Sequence, residues 1–207
     1  TLLRPDGVRN PMERRRFVAG LASVAAVTTA ATGCLNTSDS DGGPSYVELL
    51  PSAATDGFDR IDLDGARGHG ALNVEDCSAR RLFDRLPGID TEDIGSVVVF
   101  GERRATGVAT GDFDVSEVST ELASEGYVEG DGAEEYRLFQ KDRATVALGE
   151  ETCVRSALGT EAVREVVEVP QGEATAAVDA DEDFSVLVDA LGDGTFVTGA
   201  LNDVGGP

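Results

Sequence analysis

Residues 96–111 read SVVVFGERRATGVATG. Three consecutive valines and a phenylalanine favour extended chain and leave no polar position among them, so Ser96 to Gly101 is a buried strand. Glu102, Arg103 and Arg104 interrupt it with charge, and Ala105 to Thr110 resumes as its partner. Two such runs across a short polar break form a hairpin, and a hairpin commits the sheet to antiparallel pairing.

Toward the C-terminus, Asp114-Val115-Ser116-Glu117 is a capping box. The Asp114 carboxylate can accept a free amide proton of the first turn while Glu117 reaches back. Val118, Leu122 and Ala123 form the apolar stripe of that helix, and Gly126 stops it. Strands are expected at Glu135–Gln140 and Arg143–Leu148, joined by a tight turn at Lys141-Asp142, and a third at Thr152–Ala157. Thr160 is expected to cap a helix that turns Val163, Val166 and Val167 inward, and Pro170 ends that block.

Toward the N-terminus, Ser78 to Leu86 reads as a helix capped by Ser78, with Leu82, Phe83 and Leu86 on one face and Pro87-Gly88 at its end. Residues 52–75 mix Gly, Asp and Ala and read as irregular, apart from a strand expected at Arg60–Leu63. Tyr46 to Leu50 reads as a short strand ended by Pro51. A weak internal repeat relates SARRLFDRLPGIDTEDIGSVVVFG to DEDFSVLVDALGDGTFVTG, each a short helix, a polar turn and a strand ending in glycine.

The expectation is an α+β fold: an antiparallel sheet with short amphipathic helices packed on one face, after a disordered signal and tether segment. Residues 46–170 form the α+β domain. Residues 171–207 open a second, truncated repeat, unless the last strand joins the first sheet.

The chain has 39 acidic residues against 17 cations, a formal charge of −22, and all but one of its cations are arginine; the exception is Lys141. Unscreened like charges push a compact state apart. In about 1 M salt the Debye length falls to about 3 Å and the repulsion fades, so acid excess with lysine depletion reads as adaptation to salt. Partial disorder and dedicated cation binding are the other readings of such a charge. Nucleic acid is excluded as a partner, because its phosphates are repelled.

Residues 12–43 explain where such a chain goes. Arg14-Arg15-Arg16-Phe17 fits a twin-arginine export signal, with Arg14, Arg15 and Phe17 its key positions. Val18 to Thr32 is apolar but shorter than the roughly 20 residues a spanning helix needs, so residues 12–33 read as a cleavable signal. It ends Ala31-Thr32-Gly33-Cys34, the small residues and cysteine of a lipobox, although Ala31 stands where leucine is usual. A lipid on Cys34 anchors because each buried methylene contributes roughly 0.8 kcal/mol. Residues 34–45 are a polar tether and carry a glycosylation sequon at Asn36. Residues 1–11 read as an upstream extension before Met12, the only methionine.

Cys77 and Cys153 remain, and in an exported chain an even remainder suggests a disulfide. Little else carries chemistry. The segment RIDLDGARGHGA places Gly65 as a calcium loop requires, but Arg60 and Ala71 occupy ligand positions; Asp179, Asp181 and Asp183 alternate, but Phe184 stands where glycine is needed. The one histidine is His69, and neither a nucleophile elbow nor a phosphate-binding glycine loop occurs. No metal, cofactor or catalytic residue is therefore expected.

From GVATGDFDVSEVSTELASEGYVE through EEYRLFQKDRATVALGEETCVRSALGTEAVREVV the chain resembles haloarchaeal twin-arginine-exported surface lipoproteins of uncharacterised function. The residues that carry the resemblance are Gly111, Phe113, Asp114, Gly126, Tyr127, Tyr136 and Phe139. It implies fold and location only. The functional expectation is a non-enzymatic lipoprotein on the extracytoplasmic face of the cell membrane, structural or ligand-binding, whose one identified partner is the membrane itself. A lipid-tethered carboxylate hydrolase and a solute-binding lipoprotein of a transporter are the rivals.

Overall fold

The valine hairpin lies near the middle of an eight-stranded antiparallel sheet in the computed structural model, which describes residues 16–17, 45–68, 80–133 and 135–202. The strands are β2 (Phe58–Asp62), β3 (Ile94–Phe100), β4 (Thr106–Gly111), β5 (Val128–Ala133), β6 (Tyr136–Lys141), β7 (Ala144–Leu148), β8 (Thr152–Ser156) and β9 (Phe196–Gly199). Their spatial order is β5-β6-β7-β8-β4-β3-β2-β9. A separate pair joins β1 (Arg16–Phe17) to β10 (Leu201–Asn202). Among the described residues there are five α-helices: α1 (Leu63–Gly68), α2 (Val115–Ser124), α3 (Thr160–Glu168), α4 (Ala177–Ala180) and α5 (Glu182–Leu191).

The fold class is the expected α+β, but the helices cover both faces of the sheet rather than one. The reason is in the valine run. Side chains alternate across a strand, so Val98 and Phe100 enter one core while Val97 and Val99 enter the other. A strand with no polar position is a strand buried on both sides. Each fully buried valine or leucine contributes roughly 1.5–3 kcal/mol, so neither face can be left wet. A register shift between Ile94 and Ser96 adds a residue to β3 and turns Ile94 into the same core as Val97.

On the first face, α3, α4, α5 and the segment from Tyr46 to Ala54 cover Phe58, Val108, Leu138, Ala147, Val154 and Val197. Val163, Val166 and Val167 point inward from α3 as expected. On the second face, α1, α2 and the turn bearing Phe83 and Leu86 cover Ile61, Ala109, Phe139, Val146 and Leu148.

Several local expectations are corrected. Ser45–Leu49 is a 3-10 helix, not a strand: Tyr46, Val47 and Leu50 are all buried, a spacing that a helical turn satisfies and an alternating strand does not. The expected helix over Ser78–Leu86 shrinks to a 3-10 turn at Arg80–Leu82, which still buries Phe83 and Leu86; Ser78 lies outside the described residues. The strand expected at Arg60–Leu63 is β2, which starts two residues earlier, and the irregular stretch after it holds α1, fastened by Arg67, which donates to Asp64 and to the carbonyls of Thr91 and Ile94. The β6–β7 turn is Asp142-Arg143, one residue later than expected, with Asp142 left-handed at φ 56°. Gly159, not Thr160, sits at the N-cap of α3.

The segment from residue 171 contributes α4, α5 and β9 to the same sheet. β9 pairs with β2 in the register Phe58↔Gly199 through Ile61↔Phe196, so this strand joins the first sheet. At the other edge, β5 carries exposed Glu129 and Asp131, charges that blunt an unpaired edge.

Candidate functional site

Most residues singled out from sequence fall outside the described region: Arg14, Arg15, Cys34, Asn36, His69 and Cys77. Phe17 pairs with Leu201 in the small β1–β10 ladder. Cys153 carries a free thiol on β8, fully buried in the second core, and is not half of a bridge in this structure. Burial pushes that thiol up to about 12, against a smaller lowering by Arg155, so it stays protonated and unreactive at neutral pH. The acidic run at 179–183 starts a helix. Asp181 accepts from the amides of Asp183 and Phe184 at 2.9 and 3.2 Å and caps α5, while Phe184 is core. Among the described residues no helix is long and apolar enough to cross a membrane.

Two clefts stand out. The first, of about 780 Å³, opens on the second face of the sheet. Its charged lining is Arg81, Arg85, Arg103, Arg104 and Arg155, with one acid, Asp84. The floor follows from strand register. Val99, Gly107 and Arg155 lie on one rung across β3, β4 and β8. Gly107 leaves a gap in that rung, and a methyl group there would sit 2.6 Å from the Leu82 side chain and 3.1 Å from Phe83. The turn at Arg80–Leu82 thus rests directly on the strand and brings Arg81 and Arg85 to one wall. Arg155 donates to the carbonyl of Leu82 and ties that wall to β8.

The opposite wall is the β3–β4 loop. Arg104 donates from Nε to Asp59 at 2.7 Å and from a terminal nitrogen to the Gly57 carbonyl at 2.6 Å. Arg103 and Arg104 both have φ 56°. Chemically, the cleft offers planar cationic donors from three segments far apart in sequence, a set suited to holding oxyanions and unsuited to proton transfer, since guanidinium does not deprotonate. Sequence reading missed it; the signal present was that two of its walls begin as arginine pairs, at 80–81 and 103–104.

The second cleft, of about 640 Å³, lies at the end of the sheet beside Tyr136, with Glu135, Glu150 and Glu151 around it. All three carboxylates are exposed. Burial, with a smaller contribution from Glu135, raises the Tyr136 hydroxyl above its usual range, against an opposing hydrogen bond with Thr152. Arg137 at its rim is engaged: it donates to both Glu129 oxygens at 2.8 and 2.9 Å and to Ser119 at 2.7 Å. That bond holds the Glu129 carboxyl below its usual value.

No family model matches the chain, and no curated protein matches it. Similar solved structures include the protein TP0453 in crystal form III, with a TM-score of 0.43 and 10% identity over 75% of this chain. Crystal form I of the same protein gives a TM-score of 0.41 and 8% identity over 64% of this chain. The matched region spans 61% and 53% of the length of those structures.

Proposed function

We propose that the protein is a lipid-anchored domain held on the extracytoplasmic face of the cell membrane of a salt-loving organism, where it acts by binding or as structure, not by catalysis. One observation carries the reading: Cys34 stands at the junction of a twin-arginine leader and a polar tether, the position at which a lipid is attached. The net charge of −22 with a single lysine supports a saline medium. The arginine-lined cleft supports a binding role, because planar guanidinium forks are suited to holding oxyanions.

Two experiments test this. Cys34→Ser is expected to move the protein from the membrane fraction to the medium and to abolish incorporation of labelled lipid; retention of the variant in the membrane refutes the anchor. Dialysis into dilute buffer is expected to unfold the domain as screening is lost, and a cooperative melt that persists there removes the argument for salt adaptation.

A further inference from the structure

We infer that the arginine-lined cleft is a binding site for a small ligand bearing two or more phosphate-type oxyanions. The inference does not depend on the anchor. It starts from a contrast of charge. The whole chain carries −22, yet this one cleft gathers five arginines against a single acid. Scattered surface cations would sit among the acids that outnumber them.

The five arginines divide into two groups. Arg104 and Arg155 are partly committed to the protein, through Asp59 and the Gly57 carbonyl in one case and the Leu82 carbonyl in the other. They fix the walls. Among the described residues Arg81 and Arg85 have no ion pair, and Arg103 approaches only its neighbour Glu102, at 3.8 Å with both side chains at least 78% exposed. Three guanidinium groups therefore face the cleft with donors to spare. Each can grip two oxygens of a phosphate group at once, which a lone carboxylate ligand cannot exploit at three separate points.

Arg103 and Arg104 hold consecutive left-handed conformations at φ 56° in the β3–β4 loop, a geometry that costs arginine more than glycine. Glycine would relieve it, yet arginine occupies both positions.

Ligand size follows from the charge around the cleft. A long polyanion would lie against the acidic surface beyond it and be repelled. A small one meets only groups at contact range, and in about 1 M salt, with a Debye length of about 3 Å, the remote acids are screened while contact hydrogen bonds persist. The oxyanions can belong to a soluble molecule or to a phosphate-bearing lipid headgroup.

The test uses the full chain carrying Cys34→Ser, so that vesicle binding reports the cleft rather than an attached lipid. In molar KCl, inorganic pyrophosphate is titrated by calorimetry, and flotation is measured with vesicles of phosphatidylcholine containing phosphatidylinositol 4-phosphate, whose headgroup region carries two phosphates. Adding Arg81→Gln and Arg85→Gln is expected to weaken binding about tenfold or more. Arg143→Gln with Arg164→Gln, the same charge change at sites outside the cleft, is expected to leave it unchanged. Arg103→Gly supplies a second variant that keeps its fold: it melts about 2–4 °C higher as strain is released, and binds several-fold more weakly. Saturable pyrophosphate binding lost in the cleft variants identifies a soluble ligand. Vesicle binding alone, lost in the same variants, identifies a headgroup. Binding of neither probe, or equal weakening by the cleft and control variants, overturns the inference.

Discussion

The two faces of the sheet bury similar residues by different means. On the first, helices α3 and α5 lie across the strands and an aromatic cluster fills the space beneath them: Phe58 packs 5.5 Å from Tyr46 and 5.7 Å from Phe184, centroid to centroid. The Tyr46 hydroxyl reaches the Gly192 carbonyl at 3.3 Å, and the Arg60 guanidinium covers its ring at 5.0 Å. On the second, cover comes from α2, the six-residue α1 and a turn resting on Gly107. Short covers leave part of the sheet surface open, and the cleft forms beside the turn that rests on Gly107, over Val99 and Arg155 of the same rung. The first face thus serves mainly to hold the molecule together. The second also provides a surface on which charged groups can converge.

The largest test of this contrast is to remove one aromatic from each face. Phe58 and Phe83 are both fully buried. Phe58→Ala is expected to cost at the upper end of about 3–5 kcal/mol, because strands on both sides and a helix above cannot collapse into the space. Phe83→Ala is expected at or below the lower end, since its turn can settle onto Gly107. Denaturant unfolding in high salt measures both. Equal losses would mean that the two covers are equally rigid.

The sequence shows one face far better than it shows two. The β3–β4 hairpin, α2, the β6–β7–β8 meander and the inward valines of α3 are all legible, because each rests on local periodicity or a local cap. Two-sided burial is legible only if SVVVFG is taken as a count of layers as well as a strand. Helix α1 is hidden because Leu63–Gly68 contains two glycines and forms through the burial of Leu63 and Ala66 and the bonds of Arg67, none of which is local propensity. β5, VEGDGA, has no alternation to read; its partner β6 makes it a strand. The cleft is hidden for the strongest reason: its arginines come from residues 81–85, 103–104 and 155, and only the register of β3, β4 and β8 brings them together.

Alkali separates the faces by a second route. Cys153 belongs to the second core and Tyr46 to the first, and burial raises the thiol from 9.0 to about 12 and the phenol from 10.0 to about 12. Below pH 9 both groups hold their protons whether the chain is folded or unfolded, so neither affects stability. As pH rises past 9.0 the unfolded chain releases the Cys153 proton and the folded chain does not, so stability falls progressively toward pH 12. One such group gives a slope of about 1.4 kcal/mol per pH unit. Tyr46 adds to the slope only above pH 10. Cys153→Ala is expected to flatten the segment between pH 9 and 10 and to lower the slope above pH 10, where Tyr46 still contributes. An unchanged slope there would show that the thiol is not sealed in the second core.

The smallest effect concerns how helices begin. On the second face, Asp114 accepts from the amides of Ser116 and Glu117, both at 3.0 Å, and this cap fixes where α2 starts. On the first, α3 begins at Gly159 with no side-chain cap, and its position is set by Val163, Val166 and Val167 in the core. Asp114→Ala is therefore expected to cost about 1 kcal/mol and Asp114→Ser much less, since a serine oxygen can take the same amides. Hydrogen exchange is the sharper readout: amide protection should fall in the first turn of α2 and hold through its end, where Leu122 is buried. Loss of protection along the whole helix would mean that packing contributes little to α2, and that the second face depends on its caps more heavily than its buried residues suggest.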